Sequence, residues 1–181
     1  AMTKPMWIQL GKEFKKLSKN KKLRCIIIRG EGGKSFSPGN DIGEFKEERS
    51  SSKLAKDYGK HLHGTLGEIF NCPIPTVALI EGICVGGGLE IAGCCDIRIC
   101  GKSSRFGVPI KRLGLTMAAK ELVNVKGAFF PNYGGGRCRD YPQFCLCVTG
   151  MRFDFKPNLE LAFLRPDGAH FRSGISRDHY S

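Results

Sequence analysis

A carboxylate, Glu90, stands two residues after three consecutive glycines, Gly86, Gly87 and Gly88, in the stretch Ile80 to Ile99, IEGICVGGGLEIAGCCDIRI. Glycines leave the backbone bare, so a ligand can come close to main-chain N–H groups. If Leu89 to Cys95 is helical, those N–H groups sit at a helix N-terminus, where the macrodipole favours negative charge. Backbone donors beside a positioned acid or base are the layout that stabilises an enolate or a tetrahedral oxyanion. A second stretch of interest lies upstream: Lys34 to Glu44, KSFSPGNDIGE, directly after the apolar run Leu23 to Arg29, LRCIIIR. A third lies downstream, Arg105 to Leu115, RFGVPIKRLGL.

Each of these residues has a plainer reading as well. Glu90 would serve equally as a solvated helix carboxylate that only answers the dipole. Asn40 and Asp41 fit a turn or a helix cap, and Asp41 is read as one. Asp96 reads as framework. Ile110 fits the core or a pocket wall. His61 and His63 lie in the polar stretch Ser50 to Gly67 with no Cys, Asp or Glu at metal-ligand spacing, so they read as exposed helix residues and no metal site is expected.

The elements that must carry the three stretches follow from periodicity. Thr3 to Ser18 is predicted helical: Thr3 can cap it, Pro5 sits in its first turn, and Trp7, Leu10, Phe14 and Leu17 form an apolar stripe at helical spacing. Leu23 to Arg29 is a strand rich in Ile. Gly30 to Glu44 is a loop, and Leu54 to Phe70 a helix that stops before Asn71-Cys72-Pro73. Thr76 to Ile80 is a strand, Ile83 to Gly87 extended, Gly88 to Cys95 helical and Ile97 to Cys100 a strand. Arg105 to Gly107 is extended and Met117 to Val125 helical. Strands alternating with helices indicate an α/β arrangement.

Composition sets outer bounds. A chain of 181 residues can bury a sizeable core. No apolar run approaches the roughly 18–20 residues that span a bilayer, and there is no charged-then-apolar leader. The expectation is a cytoplasmic protein, with mitochondrion or peroxisome as alternatives. Nine cysteines include no CxxC pair, and Cys25, Cys84, Cys94, Cys95 and Cys100 fall in apolar patterns, so they are expected as reduced core thiols. The net charge of +12 needs an anionic partner or a solvated face. Lys12, Lys15, Lys16 and Lys19 recur along one face of the first helix. Such a row could follow RNA phosphates. More often it is a solvated face, and no interleaved aromatic platform accompanies it.

In order and spacing, FSPGND after a strand, GICVGGGLE after a strand, then CDIRI and FGVP resemble the enoyl-CoA hydratase/isomerase superfamily, the crotonases, from Ala1 to about Val125. The resemblance implies a crotonase-like spiral of ββα repeats. It implies that the Asn40 and Gly87 N–H groups hold the thioester carbonyl oxygen of an acyl-CoA. Gly39, Asn40, Asp41, Ile42, Gly43 and Gly87 would line the CoA and acyl site. Glu90 matches the first of the two glutamates that family hydratases use. The second would follow the Pro of the FGxPE-like motif, but Ile110 follows Pro109 here. Hydration in these hydratases uses both carboxylates to hold and activate one water. A lone Glu90 therefore implies an isomerase-like or lyase-like enzyme. No cofactor is implied beyond the coenzyme A thioester as substrate. The family homotrimer or hexamer is the expected assembly.

The ends depart from the family. The chain begins AMTKPMW, where crotonases carry a strand pair and an adenine-binding loop, so an N-terminally truncated sequence is expected. From about Lys126 the family pattern stops. Residues 127 to 181 hold one of 17 lysines but six of 12 arginines, and seven of 12 phenylalanines. The division is 1–125 as a partial crotonase core and 126–181 as an unmatched tail, from a domain junction, a frameshift or an alternative exon. Strand candidates in the tail are Phe144 to Val148 and Leu159 to Leu164, and Gly134 to Arg137 is weak as a phosphate loop. Two other readings stand beside the enzyme: a catalytically inactive or regulatory crotonase fragment, and an RNA binder that uses the Lys-rich helix.

Overall fold

The computed structural model describes residues 1–109, together with the backbone of four strands at 136–137, 146–147, 161–164 and 172–173. The helix predicted at Met117 to Val125, the side chain of Ile110, and most of the tail lie outside the described residues.

Helix α1 (Lys4–Leu17) is capped by Thr3, whose hydroxyl accepts from the Met6 N–H, and buries Trp7, Leu10, Phe14 and Leu17. The predicted stripe is the buried one, and Lys12, Lys15, Lys16 and Lys19 are exposed. Lys15 faces Glu68 at 3.5 Å. Strand β1 (Cys25–Arg29) follows, with Ile26, Ile27 and Ile28 all buried, as expected of a parallel strand covered on both faces. After β2 (Ser35–Ser37) come the short helix α2 (Phe45–Glu48) and the long helix α3 (Ser52–Phe70), capped by Ser51. Next are β3 (Thr76–Ile80), β4 (Ile83–Val85), α4 (Gly87–Cys94), β5 (Ile97–Cys100) and β6 (Arg105–Gly107). The tail adds β7 (Gly136–Arg137), β8 (Leu146–Cys147), β9 (Leu161–Leu164) and β10 (Arg172–Ser173).

Two sheets result. One has the order β10-β9-β1-β3-β5-β8 and the other β2-β4-β6-β7. Each successive pair of strands gives one strand to each sheet before the chain turns into a helix. β1 pairs with β3 in parallel, Ile26 opposite Thr76, and β3 with β5, Val77 opposite Ile97. In the second sheet β2 pairs with β4 and β4 with β6, also in parallel. This is a ββα repeat read twice over, with α1 and α3 packed together. Gly11 makes that packing close: a Cβ there would lie 2.7 Å from Thr65 Oγ1.

The loop predicted across Gly30 to Glu44 is partly structured. It contains a 3₁₀ turn (Glu31–Gly33) and β2. Three residues are too few to show alternation, and β2 exists because β4 offers it a parallel edge. α2 likewise leaves no trace in the sequence pattern, being a single turn with no buried residue. Of the tail candidates, β8 falls within Phe144 to Val148, β9 within Leu159 to Leu164, and β7 occupies the end of the Gly134 to Arg137 run. The reading of all cysteines as reduced fails at Cys100, which is disulfide-bonded. Cys25, Cys72, Cys84, Cys94 and Cys95 are reduced. Among the described residues no helix is long and apolar enough to cross a membrane.

Asp96 ties β3 to the start of β5. Its carboxylate accepts from the Thr76 N–H and from the Thr76 hydroxyl, both at 2.8 Å, while its own N–H donates to Thr76 Oγ1 at 3.0 Å. Thr76 is buried, whereas Asp96 is exposed and its groups can turn to water. Thr76→Val is expected to lower unfolding free energy by about 1 kcal/mol, the usual net contribution of a hydrogen-bonded hydroxyl whose partner can reach water. Urea unfolding of the two chains checks this.

Candidate active site

Two main-chain turns meet at the site. The first follows β2. Ser37 Oγ accepts from the Gly39 N–H at 3.2 Å, and Gly39 takes a φ of 97°, which side chains disfavour. The Gly39 carbonyl accepts from the Met2 N–H at 2.7 Å, and the Met2 carbonyl from the Asp41 N–H at 2.9 Å. Met2 and Asn40 thus form a parallel bridge. Because the groups of residues 39 and 41 face Met2, the N–H and carbonyl of Asn40 point to the opposite side.

The second turn links β4 to α4. Gly86 adopts φ 51° and ψ −123°, and its N–H donates to the Gly107 carbonyl at 3.0 Å. Its own carbonyl accepts from Leu89 and Glu90 N–H groups at 2.9 and 3.1 Å. Gly87 is the first residue of α4, so helix geometry leaves its N–H without an intrahelical acceptor. The two turns touch: a Cβ on Gly39 would lie 3.0 Å from the Val85 carbonyl oxygen and 3.6 Å from Gly87 N. A Cβ on Gly87 would lie 2.8 Å from Asn40 Oδ1 and 2.9 Å from Trp7 Cζ2. Gly88 is pressed against Ser37, with 2.6 Å from its notional Cβ to Ser37 Cβ. The turns can be this close only because three residues in sequence lack side chains.

The sequence-predicted site residues are distributed as follows. Gly39, Asn40 and Gly87 come together at this contact. Glu90 sits three residues after Gly87 on α4, on the same side of the helix, and is half-buried. Asp41 is a turn residue: its Oδ1 accepts from the Gly43 N–H at 2.9 Å. Ile42 projects from the same loop with 57% of its surface exposed. Ile110 lies outside the described residues. The hydrogen bond from Gly86 to Gly107 nevertheless brings the end of β6, three residues before it, against the glycine turn. His61 is on α3 with Nε2 3.8 Å from Asp57 one turn earlier, which corrects the reading that no Asp stands at ligand spacing from it, and His63 is exposed on the same helix.

One site residue was missed. The sequence pattern gives Trp7 only a place in the apolar stripe of α1. Its indole N–H donates to Asn40 Oδ1 at 2.9 Å, and its ring borders Gly87. Spacing within α1 signals burial but says nothing of a partner 33 residues away.

The local electrostatics are set by burial. The Cys94 thiol, one turn beyond Glu90, is pushed up from 9.0 to about 12, first by burial and then by the Glu90 charge. Burial raises Cys95 as well. A group whose folded pKa is raised favours the fold in its protonated form. The Cys94 contribution to stability is therefore present below pH 9 and is lost as pH rises toward 12. The neutral thiol is also a poor nucleophile. Iodoacetamide at pH 8 is expected to leave Cys94 and Cys95 unmodified in the folded chain and to alkylate both in urea, as read by peptide mass spectrometry.

Gly87→Ala is expected to cost about 1–3 kcal/mol, since Trp7 and Asn40 must both give way in a packed wall. Gly64→Ala, on α3 with open space around it, is the control and is expected to stabilise by about 0.5–1 kcal/mol. Thermal melts of both variants test the contrast.

The family model for enoyl-CoA hydratase/isomerase matches residues 1–125. Methylglutaconyl-CoA hydratase, mitochondrial, of Homo sapiens is 35% identical over 135 residues, which are 75% of this chain and 35% of that protein. Delta(3,5)-Delta(2,4)-dienoyl-CoA isomerase, mitochondrial, of Dictyostelium discoideum is 32% identical over 152 residues, 79% of this chain and 48% of that protein. The crystal structure of an enoyl-CoA hydratase/carnithine racemase from Magnetospirillum magneticum superposes with a TM-score of 0.76 at 35% identity, covering 81% of this chain and 58% of that one. The chain spans about a third to a half of the length of these curated relatives. The strand order, the paired turns and a family match over the first 125 residues converge, and the chain belongs to the enoyl-CoA hydratase/isomerase, or crotonase, family.

Proposed function

We propose that this chain carries an acyl-CoA site in which the Asn40 and Gly87 N–H groups stabilise the oxyanion of a thioester enolate and Glu90 moves the proton. The observation that carries this reading is the contact of the two turns, with the Asn40 N–H directed away from Met2 and the Gly87 N–H at the start of α4. Two donors at one spot are what a developing oxyanion requires. The α4 dipole adds to them.

With Ile110 in place of the second glutamate, the reaction is read as isomerase-like or lyase-like. Glu90 takes a proton from the carbon next to the thioester. The electron pair left behind spreads onto the carbonyl oxygen, facing the two N–H groups. Return of the proton at another carbon of the conjugated system moves the double bond and regenerates the Glu90 carboxylate. A hydratase would need a second group to position water. The similar proteins include both a hydratase and an isomerase by name, so the resemblance alone does not choose between them. Exposed Ile42, at the rim of the Asn40 loop, suits contact with an apolar part of the ligand.

The first test is calorimetric titration of the folded chain with acetoacetyl-CoA, an enolisable thioester. Saturable binding is expected. Absence of binding would favour the catalytically inactive fragment. Glu90→Gln is then expected to lower turnover of a 3-enoyl-CoA by about 10²–10⁴-fold while acetoacetyl-CoA still binds. Retained turnover would remove Glu90 from the mechanism.

A further inference from the structure

We propose that Trp7 is a positioning residue for the oxyanion site: its indole N–H holds the Asn40 carboxamide against Gly87 and so fixes the spacing of the two main-chain donors. This role rests on the acyl-CoA reading given above.

The indole is fully buried. A buried indole N–H needs an acceptor, and the acceptor used here is the side chain of the very residue whose main-chain N–H faces the site. The bond is 2.9 Å long. The ring carbon next to the N–H side, Cζ2, lies on Gly87, where a Cβ would come within 2.9 Å of it. One side chain therefore touches both halves of the donor pair.

Trp7 is itself held. Its carbonyl accepts from Thr65 Oγ1 at 2.7 Å, and its N–H donates to the Thr3 carbonyl at 3.0 Å. Tyr58, also fully buried, belongs to the same core cluster, and its ring lies under the Arg49 guanidinium at 4.4 Å. The indole thus reaches the Asn40 loop from a rigid helix pair. Without it, the Asn40 turn would be held by the two Met2 hydrogen bonds and by a loop whose neighbouring glycine has a left-handed φ, with nothing among the described residues fixing the carboxamide side, and the direction of the Asn40 N–H would loosen. Such loosening weakens binding of a developing oxyanion more than binding of the ground-state carbonyl.

The test uses the full chain and two readouts. Trp7 is the single tryptophan, so its indole N–H gives one resonance in a ¹⁵N–¹H spectrum. Asn40→Ala is expected to shift that resonance and to speed its exchange with solvent. An unmoved resonance overturns the proposal. Acetoacetyl-CoA then reports on the site, because its bound enolate absorbs in the near ultraviolet after losing a proton to solvent. Trp7→Phe and Asn40→Ala are each expected to lower the enolate band per bound ligand by about tenfold, with a much smaller change in dissociation constant. The double variant is expected to lose no more than either single one, since both remove the same bond. An undiminished enolate band in either single variant overturns the role and leaves the acyl-CoA reading intact. If Trp7→Phe fails to fold, Asn40→Ala alone decides. A folded wild-type chain that binds no acetoacetyl-CoA overturns the acyl-CoA reading, and this role with it.

Discussion

The contact between the Gly39–Asn40 turn and the Gly86–Gly87 turn governs the rest of the structure. Main chain meets main chain there, with 3.6 Å between a notional Gly39 Cβ and Gly87 N. No side chain could stand between them, and a helix must begin at once on the far side. β2 and β4 supply the approach: their parallel pairing sets Ser37 opposite Cys84, which leaves both strands turning away at the same level. β6 closes the third side through the Gly107 carbonyl. The sheets act as a jig for two peptide groups.

Charge is organised around the same loop. Lys4, at the start of α1, donates its main-chain N–H to Glu44 at 2.8 Å. Its amine bridges Glu48 at 2.7 Å and Asp57 at 3.0 Å. Hydrogen bonds to Glu48 and then to Asp57 raise the Lys4 pKa. Lys4 thereby joins α1, α2 and α3 beside the Asn40 turn, whereas Lys12 and Lys16 on α1, and Lys19 just beyond its end, are exposed. Most of the basic surplus on this helix is a solvated face, and one lysine near its start is structural.

Much of this was legible in the residues. The apolar stripe of α1, the Ile26 to Ile28 run of β1 and the boundaries of β3 and β5 follow directly from the sequence pattern. The GGGLE run announces a turn that only glycine can make and a helix beyond it. β2 and α2 were not legible, because three or four residues carry no period and their existence depends on a partner. Nor was the Trp7–Asn40 bond: sequence marks a residue as buried, but which polar group its N–H meets is settled by the packing of α1 on the first repeat. Asp41 illustrates the reverse case, an acidic residue in a suggestive motif whose carboxylate closes a turn.

Strand order in the core follows chain order: β1, β3, β5 in one sheet and β2, β4, β6 in the other. Every strand after the first repeat therefore finds its parallel neighbour already synthesised, and assembly can grow by docking at a ready edge, as in solenoids. The most demanding closure comes first, when Ile26 must find Thr76 across the whole of α3; the next, Val77 to Ile97, spans far less chain. Loop entropy thus concentrates the folding barrier in the first repeat. A defect in β1 would stall everything downstream, while one in β6 would leave a half-built but correctly registered spiral waiting on the ribosome.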